Sequence, residues 1–247
     1  MQIADFRLQI VAVFAFVALA AAQESPPPTE PAQSPSPEAS FAPTASASPA
    51  VTVPPTASPA RSVRISFLPP PLEGTISLGV YDKSGQLVRV LHQEAEVDEF
   101  TVGADALVTK WDGKNDDGED LPTGKYHARG YLVGHLKVED LGKTSQPEAN
   151  ATGTVQVKLM PNPLTRDAKL IVDLGVGFDD ENSYLKTVDG LPLFTVAQTP
   201  NVVRASLTKT GEKSIDVFQD DGADVKQFRV SNIDRMMAFD CGSFDLE

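Results

Sequence analysis

Short runs of alternating apolar and polar residues begin after Arg61 and continue to the end of the chain. In Thr75–Asp82, Ile76, Leu78 and Val80 alternate with Ser77, Gly79 and Tyr81, the two-residue period of a half-buried strand. Val63–Leu68, Leu87–Val97, Ala106–Trp111 and Lys125–Val133 have strand composition as well. Asp82-Lys83-Ser84-Gly85 joins the second and third of these runs as a hairpin, with Gly85 free to take positive φ. From Thr154 the pattern stays β over Val155–Leu159, Leu170–Leu174, Leu193–Ala197, Val202–Leu207, Ser214–Phe218, Val225–Val230 and Met236–Phe239. Asp189-Gly190, Thr210-Gly211 and Asp221-Gly222 fall between runs, as turns of an up-and-down sheet do. Leu207–Val230 therefore reads as three strands and two turns, which suits either a second sandwich or part of a propeller. The propeller is limited by length, since a blade takes about 40–45 residues and closure needs at least four blades. Met160-Pro161-Asn162-Pro163 reads as a hinge between the two β regions.

The N-terminal quarter has a different texture. Arg7 sits in a short polar head, and Ile10–Ala22 is an apolar run of about 13 residues, the length of a signal-peptide core and short of the about 20 that a membrane helix needs. Ala20 and Ala22 place small side chains where a signal peptidase accepts them, so residues 1–22 read as a secretion signal cleaved before Gln23. Residues 23–61 hold 11 of the 20 prolines, with Ala, Ser and Thr filling most of the rest. Such a segment buries too little apolar surface to offset the entropy of ordering it, and it reads as a disordered stalk with polyproline II character.

The fold class expected from this pattern is all-β: residues 62–150 as one antiparallel β-sandwich and 151–247 as a second β-rich domain. A formal charge of −13 argues against nucleic acid, which demands a Lys/Arg footprint. Contact with membrane is expected only through the targeting segment before its cleavage. Cys241 is the sole cysteine, so the chain forms no internal disulfide; it reads as a small buried hydrophobe.

The densest information lies in Trp111–Tyr126, WDGKNDDGEDLPTGKY. Trp111 ends a strand and plugs the core, Asp112-Gly113 and Asp117-Gly118 turn the chain, Leu121-Pro122 covers the core edge, and Gly124 permits close approach before Tyr126. Together with Ile76–Leu91, ISLGVYDKSGQLVRVL, this resembles the Ig-like domain of the flagellar hook-capping protein FlgD, which recurs in many secreted bacterial proteins. Tyr81, Asp82, Gly85, Val88, Leu91, Trp111, Asp112, Gly113, Gly118, Leu121, Pro122, Gly124 and Tyr126 carry the likeness, over residues 62–135. The resemblance implies a small antiparallel β-sandwich that serves as a structural or interaction module without catalytic residues. Members of that family usually end their chains, whereas more than 100 residues follow this motif.

Candidate chemistry is sparse. Asn115 and Asp117 precede Gly118 as in a calcium loop, but Gly113 stands where the first Asp belongs and no bidentate Glu follows, so a solvated turn is expected. His92, His127 and His135 lack metal-ligand spacing. Asp179, Asp180 and Glu181 form a carboxylate run of the kind that glycoside hydrolysis pairs, and a charge run after a strand reads as a loop. Asn150-Ala151-Thr152 matches a glycosylation sequon. No nucleophile elbow, phosphate loop or dinucleotide fingerprint is present, so catalytic, cofactor-binding and metal residues are all expected to be none. The functional expectation is a non-enzymatic exported module, periplasmic, secreted or at the cell surface, whose partner is a protein or other component of the cell envelope. The alternative is an accessory part of a larger propeller-type or carbohydrate-active enzyme. Mass spectrometry of the N-terminus after export should find Gln23 as the first residue; an intact Met1 would show instead a retained anchor.

Overall fold

A computed structural model describes residues 61–144, 153–165 and 170–247, all of which belong to one unit spanning 55–247. The segment expected to be a secretion signal, the one expected to be a proline-rich stalk up to residue 60 and the Asn150–Thr152 sequon lie outside the described residues. In the first half of the body the strands are β1 (Val63–Phe67), β2 (Gly74–Tyr81), β3 (Leu87–Ala95), β4 (Thr101–Val102), β5 (Leu107–Trp111), β6 (Gly124–Gly134) and β7 (Lys137–Thr144). After them come β8 (Thr154–Lys158), β9 (Ile171–Phe178), β10 (Asn182–Thr187), β11 (Pro192–Gln198), β12 (Arg204–Lys209), β13 (Ser214–Asp220), β14 (Val225–Ser231) and β15 (Met236–Leu246). The protein is all-β and every ladder is antiparallel; the helical content of the described residues is one 3₁₀ turn, Val97–Glu99.

Four sheets make two sandwiches. In the first, β1-β5-β4 faces β15-β6-β2-β3. Phe67, Ile76, Leu78, Leu107, Leu132 and Phe239 fill one part of the space between them, and Ile65, Val80, Trp111, Tyr126 and Leu246 fill the other. The Phe67 ring stacks on Phe239 at 4.9 Å and meets Phe100 edge-on at 5.4 Å. In the second sandwich, β11-β10-β9-β8 faces β12-β13-β14-β7, with Val157, Leu174, Leu185 and Leu193 opposed to Leu207, Val217 and Val230. The strand-turn-strand-turn-strand reading of Leu207–Val230 is what β12, β13 and β14 form.

Chain order and sheet order part company at residue 134. The strand β7 follows β6 almost directly, yet it leaves the first sandwich and pairs with β14 of the second, from Lys137 opposite Ser231 to Thr144 opposite Val225. The chain returns only with β15, which pairs with β6 from Met236 opposite Val133 to Leu246 opposite Gly124. Strands on both sides of residue 150 thus share a sheet in each sandwich, and the second sandwich is inserted between two neighbouring strands of the first. Met160–Pro163, expected as a hinge, is instead pinned to β15: the Met160 N–H donates to the Met236 carbonyl at 2.9 Å and Asn162 Nδ2 to the Ala238 carbonyl at 3.1 Å.

This nesting explains why β2 is buried on both faces rather than one. Ile76, Leu78 and Val80 enter the first core, while Ser77, Gly79 and Tyr81 face the inserted sandwich. A Cβ on Gly79 would stand 3.3 Å from Leu191 Cδ1 and 2.5 Å from Leu87 Cδ1, so the bare backbone is what allows the close approach. Beside it the Arg129 guanidinium lies 3.9 Å over the Tyr81 ring and pairs with Asp189, whose second oxygen accepts from the Thr187 hydroxyl. Thr187 Oγ1 in turn accepts the Leu191 N–H at 3.0 Å. Burial pushes the Tyr81 hydroxyl up to about 12 and raises Tyr131 further still, so both rings are neutral phenols at the junction.

Met236, Met237, Phe239 and Leu246 all reach the interior through β15. At about 1.5–3 kcal/mol for each buried side chain they contribute roughly 6–12 kcal/mol, comparable with the whole net stability of a domain. Residues 61–144 contain every other strand of the first sandwich. Expressed alone, that fragment should give an amide NMR spectrum without dispersion, whereas 61–247 should unfold in one cooperative urea transition; a folded fragment would show that β15 is dispensable.

Candidate functional site

The Trp111–Tyr126 segment is a small irregular hairpin whose polar groups turn back on its own backbone. The chain enters it from β5 with Trp111, 1 % exposed, whose indole N–H donates to the Lys114 carbonyl at 2.8 Å. The ring meets Tyr126 and Phe244 edge-on at 5.0 and 5.7 Å, and the Tyr126 hydroxyl donates to the Pro122 carbonyl at 2.8 Å. Asp112 Oδ1 accepts the Lys114 N–H at 3.1 Å and Asn115 Oδ1 accepts the Glu119 N–H at 2.8 Å. Gly113 and Gly118 both sit at positive φ, +79° and +81°. The Leu121 N–H closes the loop onto the Gly113 carbonyl at 2.9 Å.

The hairpin is also tied to its surroundings. Arg61 Nη1 donates to the Leu121 carbonyl at 2.7 Å and Arg89 Nη1 to the Asn115 carbonyl at 2.7 Å. Asp116 Oδ1 accepts the Val90 N–H at 2.9 Å, which occupies a backbone donor on the outer edge of β3. Of the oxygens considered for calcium, Asn115 Oδ1 is held by the Glu119 amide and Gly113 presents no side chain. Among the described residues no three His, Cys, Asp or Glu side chains gather so as to hold a metal ion.

The three histidines have three separate environments. His92 Nε2 lies 2.7 Å from Thr109 Oγ1 with its ring 4.4 Å from Phe100, and burial lowers its pKa. His127 reaches Ser243 Oγ at 3.2 Å through Nδ1 and Asp240 Oδ2 at 3.0 Å through Nε2. His135 lines a groove described below. Asp179, Asp180 and Glu181 form the turn between β9 and β10. Asp179 Oδ1 accepts the Glu181 and Asn182 amides at 2.9 and 2.7 Å, which holds its carboxyl below the usual carboxylate range. With Phe178, Asn201 and Val202, Asp179 and Asp180 border a shallow depression of about 340 Å³. On the outer face of β13, Asp216 is buried under Arg229, whose Nε and Nη2 donate at 2.8 and 2.9 Å, and under Gln227 at 2.8 Å. Cys241 is half-buried between the two parts of the first core, and burial pushes its thiol up, away from the reactive thiolate.

The larger concavity was not signalled by any motif. It is a groove of about 470 Å³ where the end of β3 and the start of β11 lie against the β2 and β6 ends. Phe194, Leu136 and Val133 make its apolar floor, and exposed Val97 stands around it with Glu73, Glu94, Glu96 and His135. Its residues come from four separate segments of the sequence, and only the fold brings them together.

The loop's chemistry is the more quantitative. Placing a side chain at Gly113 incurs left-handed strain and sets a Cβ 2.9 Å from Leu246 Cδ1. Gly113→Ala should therefore destabilise the body by about 1–3 kcal/mol in urea unfolding. Gly118→Ala meets open space and should cost only the strain of roughly 1–2 kcal/mol. Equal losses at the two positions would show that the contact with β15 contributes nothing. No helix among the described residues is long and apolar enough to cross a membrane. No family model, curated protein or solved structure matches the chain.

Proposed function

We propose that the chain is an exported, non-enzymatic interaction module: a secretion signal, a proline-rich stalk, and a body in which an Ig-like sandwich of FlgD type carries a second sandwich inserted before its last strand. One observation carries the reading. Five side chains of the Trp111–Tyr126 loop are committed to the backbone, with Asp112, Asn115 and Asp116 each accepting an amide hydrogen and Trp111 and Tyr126 each donating to a carbonyl. Groups held in this way stabilise a turn; they are not poised as a nucleophile or base for a substrate. The same holds for the carboxylate of Asp179. The histidines, which would be the usual proton carriers at neutral pH, are each engaged or placed apart from that turn.

What such a body offers is surface: two sandwiches with loops at their ends and unpaired sheet edges between them. Outside the cytoplasm the net negative charge supports solubility and favours basic partners over anionic lipid. The full chain, tagged at its C-terminus and crosslinked in cells, should be recovered outside the cytoplasm bound to a defined envelope protein. Recovery in the cytoplasm overturns the export reading. Turnover of chromogenic glycosides, esters or phosphates by the purified chain, abolished by Asp179→Asn with Asp180→Asn, overturns the non-enzymatic one.

A further inference from the structure

We propose that the groove between β3 and β11 receives an extended segment of a partner protein that carries lysine or arginine between apolar residues, an inference that rests on the reading of this body as an interaction module. The groove has the three properties such a segment needs. Its floor is apolar, from Phe194, Leu136 and Val133, and so provides burial for aliphatic side chains. Its rim carries Glu73, Glu94 and Glu96, drawn from the turn before β2, the end of β3 and the residue before the 3₁₀ turn. None of the three has a cation within ion-pair distance among the described residues, which form such pairs at eight other places. Glu94 is further fixed in position, because its Oε1 accepts the Thr195 hydroxyl of β11 at 2.6 Å.

The third property is backbone. Among the described residues β3 pairs only with β2, and β11 only with β10, so the two strands present sheet edges side by side. Such edges recruit extended chains through main-chain hydrogen bonds. Elsewhere on β3 the edge is closed: the Asp116 side chain takes the Val90 N–H at 2.9 Å. At the groove Glu94 sits at φ +49° and its N–H donates to Ser77 Oγ of β2 at 3.2 Å, so the regular edge of β3 ends there. Charge decides the occupant. A second copy of this chain, with a formal charge of −13, meets the acidic rim with its own excess of carboxylates. A basic segment is attracted to the rim and is steered to it before contact.

The test uses the full chain and two fluorescein-labelled peptides, acetyl-Val-Lys-Leu-Arg-Val-amide and acetyl-Val-Glu-Leu-Glu-Val-amide, read by fluorescence anisotropy. The variant Glu73→Gln/Glu96→Gln removes rim charge without removing bulk, and Glu212→Gln, exposed in the β12–β13 turn, is the control. The basic peptide should bind, weaken as salt is added, and lose about tenfold in affinity with the double variant but not with the control, at unchanged unfolding midpoints. Equal binding of the two peptides, or binding that ignores the double variant, overturns the proposal. Sedimentation that shows a dimer dispersed by the double variant also overturns it, by placing a second copy in the groove. The partner crosslinked in cells separates this proposal from the wider reading. Capture lost with the double variant supports the groove. Capture retained by it refutes the groove and leaves the module intact, whereas a wild-type chain that captures nothing refutes the module itself.

Discussion

The pairing of β15 with β6 is the interaction on which the rest of the structure depends. It is the longest ladder among the described residues, running from Met236 opposite Val133 to Leu246 opposite Gly124, and it joins residues about a hundred positions apart. Through it Phe239 reaches Phe67, and Phe244 and Leu246 reach Trp111 and Gly113. It also anchors the inserted sandwich, because Met160 and Asn162 bond to the Met236 and Ala238 carbonyls. Loop closure over such a separation must be met before the contacts reward it, which makes late completion of the first sandwich the natural folding order. The inserted sandwich has the opposite character, since β8 to β11 and β12 to β14 are meanders of sequence neighbours. Local ladders there can form while the long-range one is still open.

The junction between the two sandwiches is held by packing, with one polar cluster set into it. Leu191 against Gly79 supplies close apolar contact, and Arg129 with Tyr81, Asp189 and Thr187 supplies direction. A partly buried ion pair of this kind adds little net stability, because desolvation offsets much of its attraction, but losing one partner strands the other. Its main effect is to fix which face of β2 meets which turn of the insert. The same alignment sets the β3 and β11 edges beside each other and so creates the groove. Packing at the junction and the binding surface are therefore two results of one arrangement.

Much of this was legible in the residues. Strands whose apolar positions alternate, such as Val155–Leu159 and Ser214–Phe218, stand where the pattern puts them, and the Asp82–Gly85 hairpin closes with the Asp82 N–H on the Gln86 carbonyl at 2.9 Å. Three strands left no such trace, the first being β4, two exposed residues long. In β7 (Lys137–Thr144) nearly every side chain is exposed, so an edge strand reads as a polar loop. In β10 (Asn182–Thr187) the buried positions are Ser183, Leu185 and Thr187, and two of the three are polar. The second half of β15, Asp240–Leu246, is interrupted by a bulge at Cys241, with Gly242 at +84°, which breaks its period. Pairing is harder than strand formation to read. Nothing local in Met236–Leu246 tells it to bypass the strands before it, because that choice depends on the shape of a cavity which β1, β2, β5 and β6 make together. The groove was invisible for the same reason, as Glu73, Glu94, Leu136 and Phe194 share no motif and meet only in space.

One contact at the base of the first sandwich bears on how the body is held. A Cβ placed on Gly113 would touch Leu246 at 2.9 Å and Arg61 at 3.5 Å, so the first described residue and the end of the last strand meet at a single glycine. Entry and exit of the folded body share one pole. A load applied to residue 61 and to the C-terminus would therefore bear first on β1, β15 and the Trp111 loop, while the inserted sandwich, whose strands lie between, would be mechanically shielded. Joined by a short linker at that pole, the body would be a closed ring of chain, tolerant of new ends in any turn that no ladder spans.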